Sequence, residues 1–217
     1  FPSALQMFFE VAIFTAAIWL SGILGKNAQA ANQIALNLSS MTFMVAMGLS
    51  VAAMIRVGNQ KGLHDFKALR RIAKSIFLLG FLFAIVFASF FVIFHTMLPE
   101  LYVDLDDPEN ALDTAEVVKI ASTLILASAV FQISDSLQVI VLGALRGLQD
   151  VKIPTVITFV SYWVIGFPVS YVLGQEDAYG SLGIWLGLLA GLSAAAILLY
   201  IRFNYLTNRL ILQQDKS

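Results

Sequence analysis

The chain has 217 residues, of which 59% are hydrophobic and only 12% charged, and its mean hydropathy is +0.84. Soluble domains carry about 25% charged residues and disordered chains are poor in apolar ones, so both classes are excluded. A formal net charge of −1 with no long Lys/Arg stripe argues against nucleic acid as a partner, and the absence of Cys removes disulfides, thiolate metal sites and Cys nucleophiles.

Crossing a hydrocarbon layer of about 30 Å takes roughly 20 apolar residues in helix. Six runs qualify, which predicts an all-α, polytopic six-helix bundle with spans near residues 2–24, 32–56, 72–98, 117–144, 153–174 and 181–204. A spanning β-barrel would show segments of about ten alternating residues instead. The first run carries one charge, Glu10, lacks a basic leader and starts with Phe, so it is not a signal peptide. The chain is therefore expected to begin inside a longer protein. In the second run Gln33, Asn37 and Ser40 fall on one helical face, with Asn32 and Ser39 beside them. The third run ends near His95 and Pro99, where His95 reads as interfacial, while His64 lies in a basic loop. The fourth holds Asp135 on a face with Ser128, Gln132 and Val139, flanked by Phe131 and Gln138. Polar stripes of this kind serve either as hydrogen bonds between helices or as the wall of a wet cavity. In the fifth run Gly166 and Pro168 predict a kink, because Pro removes a backbone donor and clashes with the preceding turn; the bend is either a gate or a packing feature. In the sixth, Gly183, Gly187 and Gly191 form a small-residue ladder suited to close helix packing.

Starting the first span at the cytoplasm puts eleven Lys/Arg on that side and only Lys26 and Lys119 outside. Both ends are then cytoplasmic, and the acidic loop with Asp104, Asp106, Asp107, Glu109, Asp113 and Glu116 faces out. Glu10 and Asp135 are the only carboxylates deep within the spans. A charge at the bilayer centre costs at least about 2.5–3.5 kcal/mol, so each needs a reason. Asp135 lies about 16 Å along its helix from Arg146, and Glu10 about 13 Å from the first residue, at the helical rise. Similar depth lets the two acids share one cavity; the plainer reading is a pair of protonated carboxyls holding helices together.

The order and spacing of several motifs carry a resemblance. Phe8-Phe9-Glu10, the run Ala30 to Asn37, Arg56-Val57-Gly58, Ser134-Asp135 with Gln138, Leu145-Arg146-Gly147 with Gln149-Asp150, and Ser161-Tyr162-Trp163 together resemble the multidrug and toxic compound extrusion (MATE) family. The likeness covers essentially the whole chain and is to the C-terminal half, helices seven to twelve, of a bacterial NorM-type efflux protein. It implies one lobe of a twelve-helix transporter in the bacterial inner membrane. That transporter would antiport cationic, lipophilic drugs against H⁺ or Na⁺ by rocking between two access states, with no other cofactor. By this resemblance Glu10 and Asp135 are the cation-coupling acids, and metal ligands if the ion is Na⁺. Gln33 falls on a drug-contacting glutamine, and Asn37, Gln132 and Ser134 join it as substrate-binding candidates. Phe131 departs from sodium-binding members that have Tyr there, and Ser134 from members with a second acid, so the pattern selects neither ion. The expected partners are membrane lipid, cationic drugs and an N-terminal six-helix lobe of the same full-length chain.

Two acids in one dry cavity cannot both stay ionised cheaply unless a cation neutralises them, which supplies an exchange of ion for cationic drug. Phe9, Phe14 and Tyr162 are candidates to stack on such a drug. The alternative is a lipid-linked oligosaccharide flippase of the same superfamily, which would favour basic residues in its cavity, and none is seen in mid-span. A membrane hydrolase or transferase would need His, Cys or metal-ligand clusters, and two distant His offer none, so the chain is not expected to be an enzyme.

Overall fold

The computed structural model describes residues 2–103 and 111–214, which leaves Asp104, Asp106, Asp107 and Glu109 of the acidic loop, and Lys216, outside the described residues. Those described form α1 (Pro2–Ile23), α2 (Lys26–Gly62), α3 (Phe66–Phe94), a short α4 (Met97–Glu100), α5 (Ala111–Gly147), α6 (Lys152–Phe159), a π-helical segment (Val160–Gly166), α7 (Phe167–Leu173) and α8 (Gly180–Gln214). Six helices are long and apolar enough to cross a membrane, the fifth being α6, the π segment and α7 in succession. The helices outrun the expected spans. The second was expected to start at residue 32 and end at 56, but helix continues from Lys26 to Gly62, because nothing in those flanking turns breaks it before Gly25 and Gly62. Charge marks where a helix leaves oil, not where it stops.

The organising unit is a pair that the hydrophobic runs did not reveal. Helices α2 and α5 are each 37 residues long and run in the same direction, making the most extensive contact of the bundle. Their cross-links keep a nearly constant offset along the chain. Lys26 Nζ bonds Asp113 at 2.5 Å and Asn27 bonds Glu116 at 2.6 Å at one end. Ser39 shares a hydrogen bond with Ser128 at 2.7 Å, and Ser50 donates to the Val139 carbonyl at 2.7 Å in the middle. Lys61 Nζ donates to the Leu148 carbonyl at 2.8 Å at the far end. Both helices also close in the same way. His64 (φ 56) and Gln149 (φ 64) adopt the left-handed conformation. The Asp65 and Asp150 amides reach back to the carbonyls of Gln60 and Leu145, the six-to-one bond of a Schellman cap. The sequence signal is the repeat Gly62-Leu63-His64-Asp65 against Gly147-Leu148-Gln149-Asp150.

Close approach sets the rest of the packing. A Cβ on Gly143 would fall 2.3 Å from the Ser50 carbonyl oxygen, and one on Gly147 would fall 2.5 Å from that of Met54, so α2 and α5 touch backbone to backbone. The glycine ladder of α8 serves the packing role expected of it: Gly183 and Gly187 lie against the backbone of Leu173 and Ser170, and Gly191 against Gly166. The predicted kink takes the form of the π segment. Pro168 cannot donate, and the Phe167 amide bonds to the Tyr162 carbonyl five residues back. One buried polar link crosses from α8 to α2, where Trp185 Nε1 donates to Asn32 Oδ1 at 2.9 Å with both side chains about 1% exposed. Trp185→Phe strands that oxygen, and we expect a loss of about 1 kcal/mol, or about 2–4 °C in melting temperature for a unit of this size, read by differential scanning fluorimetry.

Candidate functional site

Helices α1, α2 and α5 enclose a cavity of about 450 Å³ that opens to one side, and no residue of α3 or α8 lines it. Its wall is mostly apolar: Met7, Val11, Phe14 and Ile18 from α1, Leu36, Phe43 and Met47 from α2, and Phe131 and Val139 from α5. Into it project Glu10, Gln33, Asn37, Ser39, Ser40, Asp135 and Arg146. Glu10 and Asp135 thus come from different helices to one chamber, near enough for their charges to interact. Asp135 is 5% exposed, and its Oδ1 is fully buried with no hydrogen-bond partner among the described residues. A buried carboxyl without a partner is costly, and the chemistry that relieves it is a proton or a cation held against the oxygen. The lining brings two carboxylates together with hydroxyl and amide oxygens; among the described residues there is no cluster of three His, Cys, Asp or Glu.

The α2 stripe divides as a helix must. Gln33, Asn37 and Ser40 face the cavity, and Tyr102 reaches over from beyond α4 to donate to Asn37 Oδ1 at 2.8 Å. Asn32, one residue and about 100° around from Gln33, points into the bundle at Trp185. On α5 the cavity face carries Phe131, Asp135 and Val139, spaced by four. The expectation that Gln132 and Ser134 line the cavity is corrected here. Ser134 turns to α8 and shares a 2.9 Å hydrogen bond with Ser193, while Gln132 is 2% exposed with both amide atoms unpartnered. A step of one residue on either side of the lining positions rotates a side chain off the face. Ser128 is likewise spent on Ser39. Of the aromatic candidates only Phe14 lines the cavity, edge-on to Phe131 at 6.0 Å. Phe9 packs on Phe159 instead, and Tyr162 is 1% exposed.

Two features escaped the sequence reading. Arg146 lies in the last turn of α5, which extends through it, and its side chain lines the cavity. There Gln6 Oε1 accepts from its Nε and Nη2 at 3.3 and 3.1 Å. The cavity is therefore not free of basic residues, as the comparison with a flippase had assumed. On α5 and the π segment, the side-chain polar atoms of Gln138, Ser161 and Tyr162 are buried, with Gln138 and Tyr162 beside each other. Tyr162 lies within electrostatic reach of both carboxylates. The π segment that carries Ser161 and Tyr162 is the signal that would have found them, since such widened turns gather at functional sites.

Comparison with known proteins follows from this geometry. A family model described as MatE matches residues 2–172. Multidrug resistance protein MdtK of Yersinia pseudotuberculosis is 42% identical over 209 residues, covering 94% of this chain and 44% of that protein. MdtK of Yersinia enterocolitica shows the same identity and coverage. Among solved structures, an outward-facing multidrug resistance MATE family transporter of the MOP superfamily matches with a TM-score of 0.83 at 16% identity, over 96% of this chain and 45% of that one. The eukaryotic MATE transporter AtDTX14 matches at 0.81 and 21%, over 96% and 46%. At those identities the structures establish the fold. The chain spans less than half the length of the curated relatives it matches.

Proposed function

We propose, since this chain belongs to the MatE family, that it is one lobe of a secondary transporter that exports cationic, lipophilic drugs in exchange for H⁺ or Na⁺. The family is one of transporters, not enzymes. The observation that carries the reading is the meeting of Glu10 and Asp135 in one mostly apolar cavity, Asp135 with a buried oxygen that no described residue satisfies. In this reading the two carboxylates hold the coupling ion, and its release leaves negative charge for a drug cation to neutralise. Gln33 and Asn37 offer hydrogen bonds at the cavity's open side, and Phe14 and Phe131 offer aromatic surface. Arg146, fixed by Gln6, repels a drug cation from the basic end of the chamber. The open side is where we place an N-terminal six-helix lobe, and rocking of the two lobes gives alternating access. The protein sits in the bacterial inner membrane among its lipids, and the excess of Lys/Arg at one end of the bundle orients both ends of this chain to the cytoplasm.

The flippase alternative is not favoured, because the 42%-identical relatives are named as multidrug resistance proteins. The test is flux in proteoliposomes holding the full-length protein. Ethidium added on the cytoplasmic side is expected to drive H⁺ or Na⁺ in the opposite direction, with cationic dyes competing and lipid-linked sugars inert. Dye transport that continues unchanged with both ion gradients collapsed would overturn the antiport reading.

A further inference from the structure

At the basic end of the bundle, on the side away from the open cavity, a second cavity of about 290 Å³ lies between the end of α2, the α5–α6 turn and the last turns of α8. That size is at the lower end of the range for small-molecule sites. Three cations line it, Lys61, Arg202 and Arg209, against one carboxylate, Asp150. The charges are unevenly satisfied. Asp150 pairs with Arg202 at 2.8 Å, with the two side chains only 16% and 21% exposed. Lys61 meets neutral oxygens only, the Leu148 carbonyl and Gln149 Oε1 at 3.0 Å. Arg209 has no hydrogen bond or ion pair among the described residues. Among the described residues the cavity thus keeps two positive charges with no counter-charge, one of them pinned by the left-handed Gln149 turn.

The pocket has an apolar side as well. Leu148, Leu206 and Leu210 line it, and Tyr205 beside it is 57% exposed with the Arg202 guanidinium 5.8 Å from its ring centre. An exposed Tyr held by an Arg at the end of a spanning helix marks the headgroup level of a bilayer. From Arg202 to Arg209 the same face of α8 advances about 10 Å, out of the hydrocarbon and into that layer. Asp65, the counterpart of Asp150 in the other Schellman turn, caps α3 by accepting from the Ala68 amide. Asp150 is drawn to Arg202 instead, and this diversion leaves room above the turn.

We propose that this cavity binds the phosphodiester headgroup of an anionic phospholipid, with Lys61 and Arg209 on the phosphate and the acyl chains leaving past Leu206 toward the hydrocarbon. A phosphate-bearing anion is the shared chemistry, and a free phosphate lacks the apolar part for which the leucines provide a surface. The proposal concerns the pocket alone and stands whichever ion couples transport. Arg209 is exposed and makes no hydrogen bond or ion pair among the described residues, so Arg209→Gln is expected to leave the fold intact. Binding of phosphatidylglycerol and phosphatidylcholine to the full-length protein is measured by native mass spectrometry from detergent at moderate salt. Phosphatidylglycerol is expected to bind preferentially and Arg209→Gln to weaken it about fivefold, the worth of one basic residue near an anionic surface. Arg209→Lys should restore binding, and Arg71→Gln, an equal loss of charge outside the pocket, should leave it unchanged. Equal binding of both lipids, or an equal loss in Arg71→Gln, would overturn the proposal. Competition by inorganic phosphate at matched concentration would overturn the lipid in favour of a soluble anion.

Discussion

Asp135→Asn is expected to abolish drug-driven cation exchange by the full-length protein, to the level of protein-free vesicles, while the fold survives. The substitution keeps the shape of a side chain that is 5% exposed and removes only the ability to release a proton or carry negative charge. Because the buried Oδ1 of Asp135 has no hydrogen-bond partner among the described residues, an amide in its place breaks no hydrogen bond at that atom. Its melting temperature should therefore stay within about 4 °C of the parent, the shift that about 1 kcal/mol makes in a unit of this size. Glu10→Gln should also uncouple transport, with a residual response, because Asp135 still supplies one carboxylate to the cavity. Flux and melting must be measured on the same preparation. Full cation-coupled flux in Asp135→Asn would remove this residue from the coupling site.

Gly143→Leu is expected to have the largest effect on folding, leaving no monodisperse protein by fluorescence-detected gel filtration. The first side-chain carbon alone would sit 2.3 Å from the Ser50 carbonyl oxygen and 2.4 Å from its hydroxyl, and a helix backbone cannot yield locally as a flexible side chain can. Parting α2 from α5 there breaks the Ser50–Val139 bond and strains the Ser39–Ser128 link eleven residues earlier in both helices. Overpacking of a well-filled core costs about 1–3 kcal/mol, and backbone against backbone belongs at the upper end. Gly48→Ala on the partner helix α2 is the control, since a Cβ there meets nothing within 4 Å. It should fold at parent level or better, as Ala favours helix over Gly by about 1 kcal/mol. Normal yield of Gly143→Leu would show that the two long helices tolerate separation.

Much of the site was open to sequence reasoning for a simple reason. Carboxylates are so unfavourable in hydrocarbon that their presence is already an argument, and Glu10 and Asp135 emerged from that cost alone. The α2 stripe was also legible, because Gln33, Asn37 and Ser40 sit on a helix whose other face is plainly committed to packing. The α5 stripe was not. Ser128, Gln132, Ser134 and Asp135 all lie within one broad polar sector, and periodicity does not say which edge of it turns toward α1 and which toward α8. That is settled by the neighbours: Ser39 takes Ser128, Ser193 takes Ser134, and only the Phe131–Asp135–Val139 edge is left to the cavity. Arg146 was misplaced because loop charge and helix-end charge look alike in a sequence.

From the amino-acid order alone came the class of molecule, the number and sequence of its spanning helices, the basic and acidic ends, and the two buried acids, all of which follow from the local free energy of moving residues between water and oil. What tertiary structure alone decided is how those helices are rotated and how close they come. The parallel α2–α5 seam, the π turn that buries Tyr162, the place of Arg146 in the cavity wall and the small basic pocket each depend on contacts between residues far apart in the chain. Hydropathy is a property of single residues and fixes depth; rotation about a helix axis is fixed only by what the opposing helix presents.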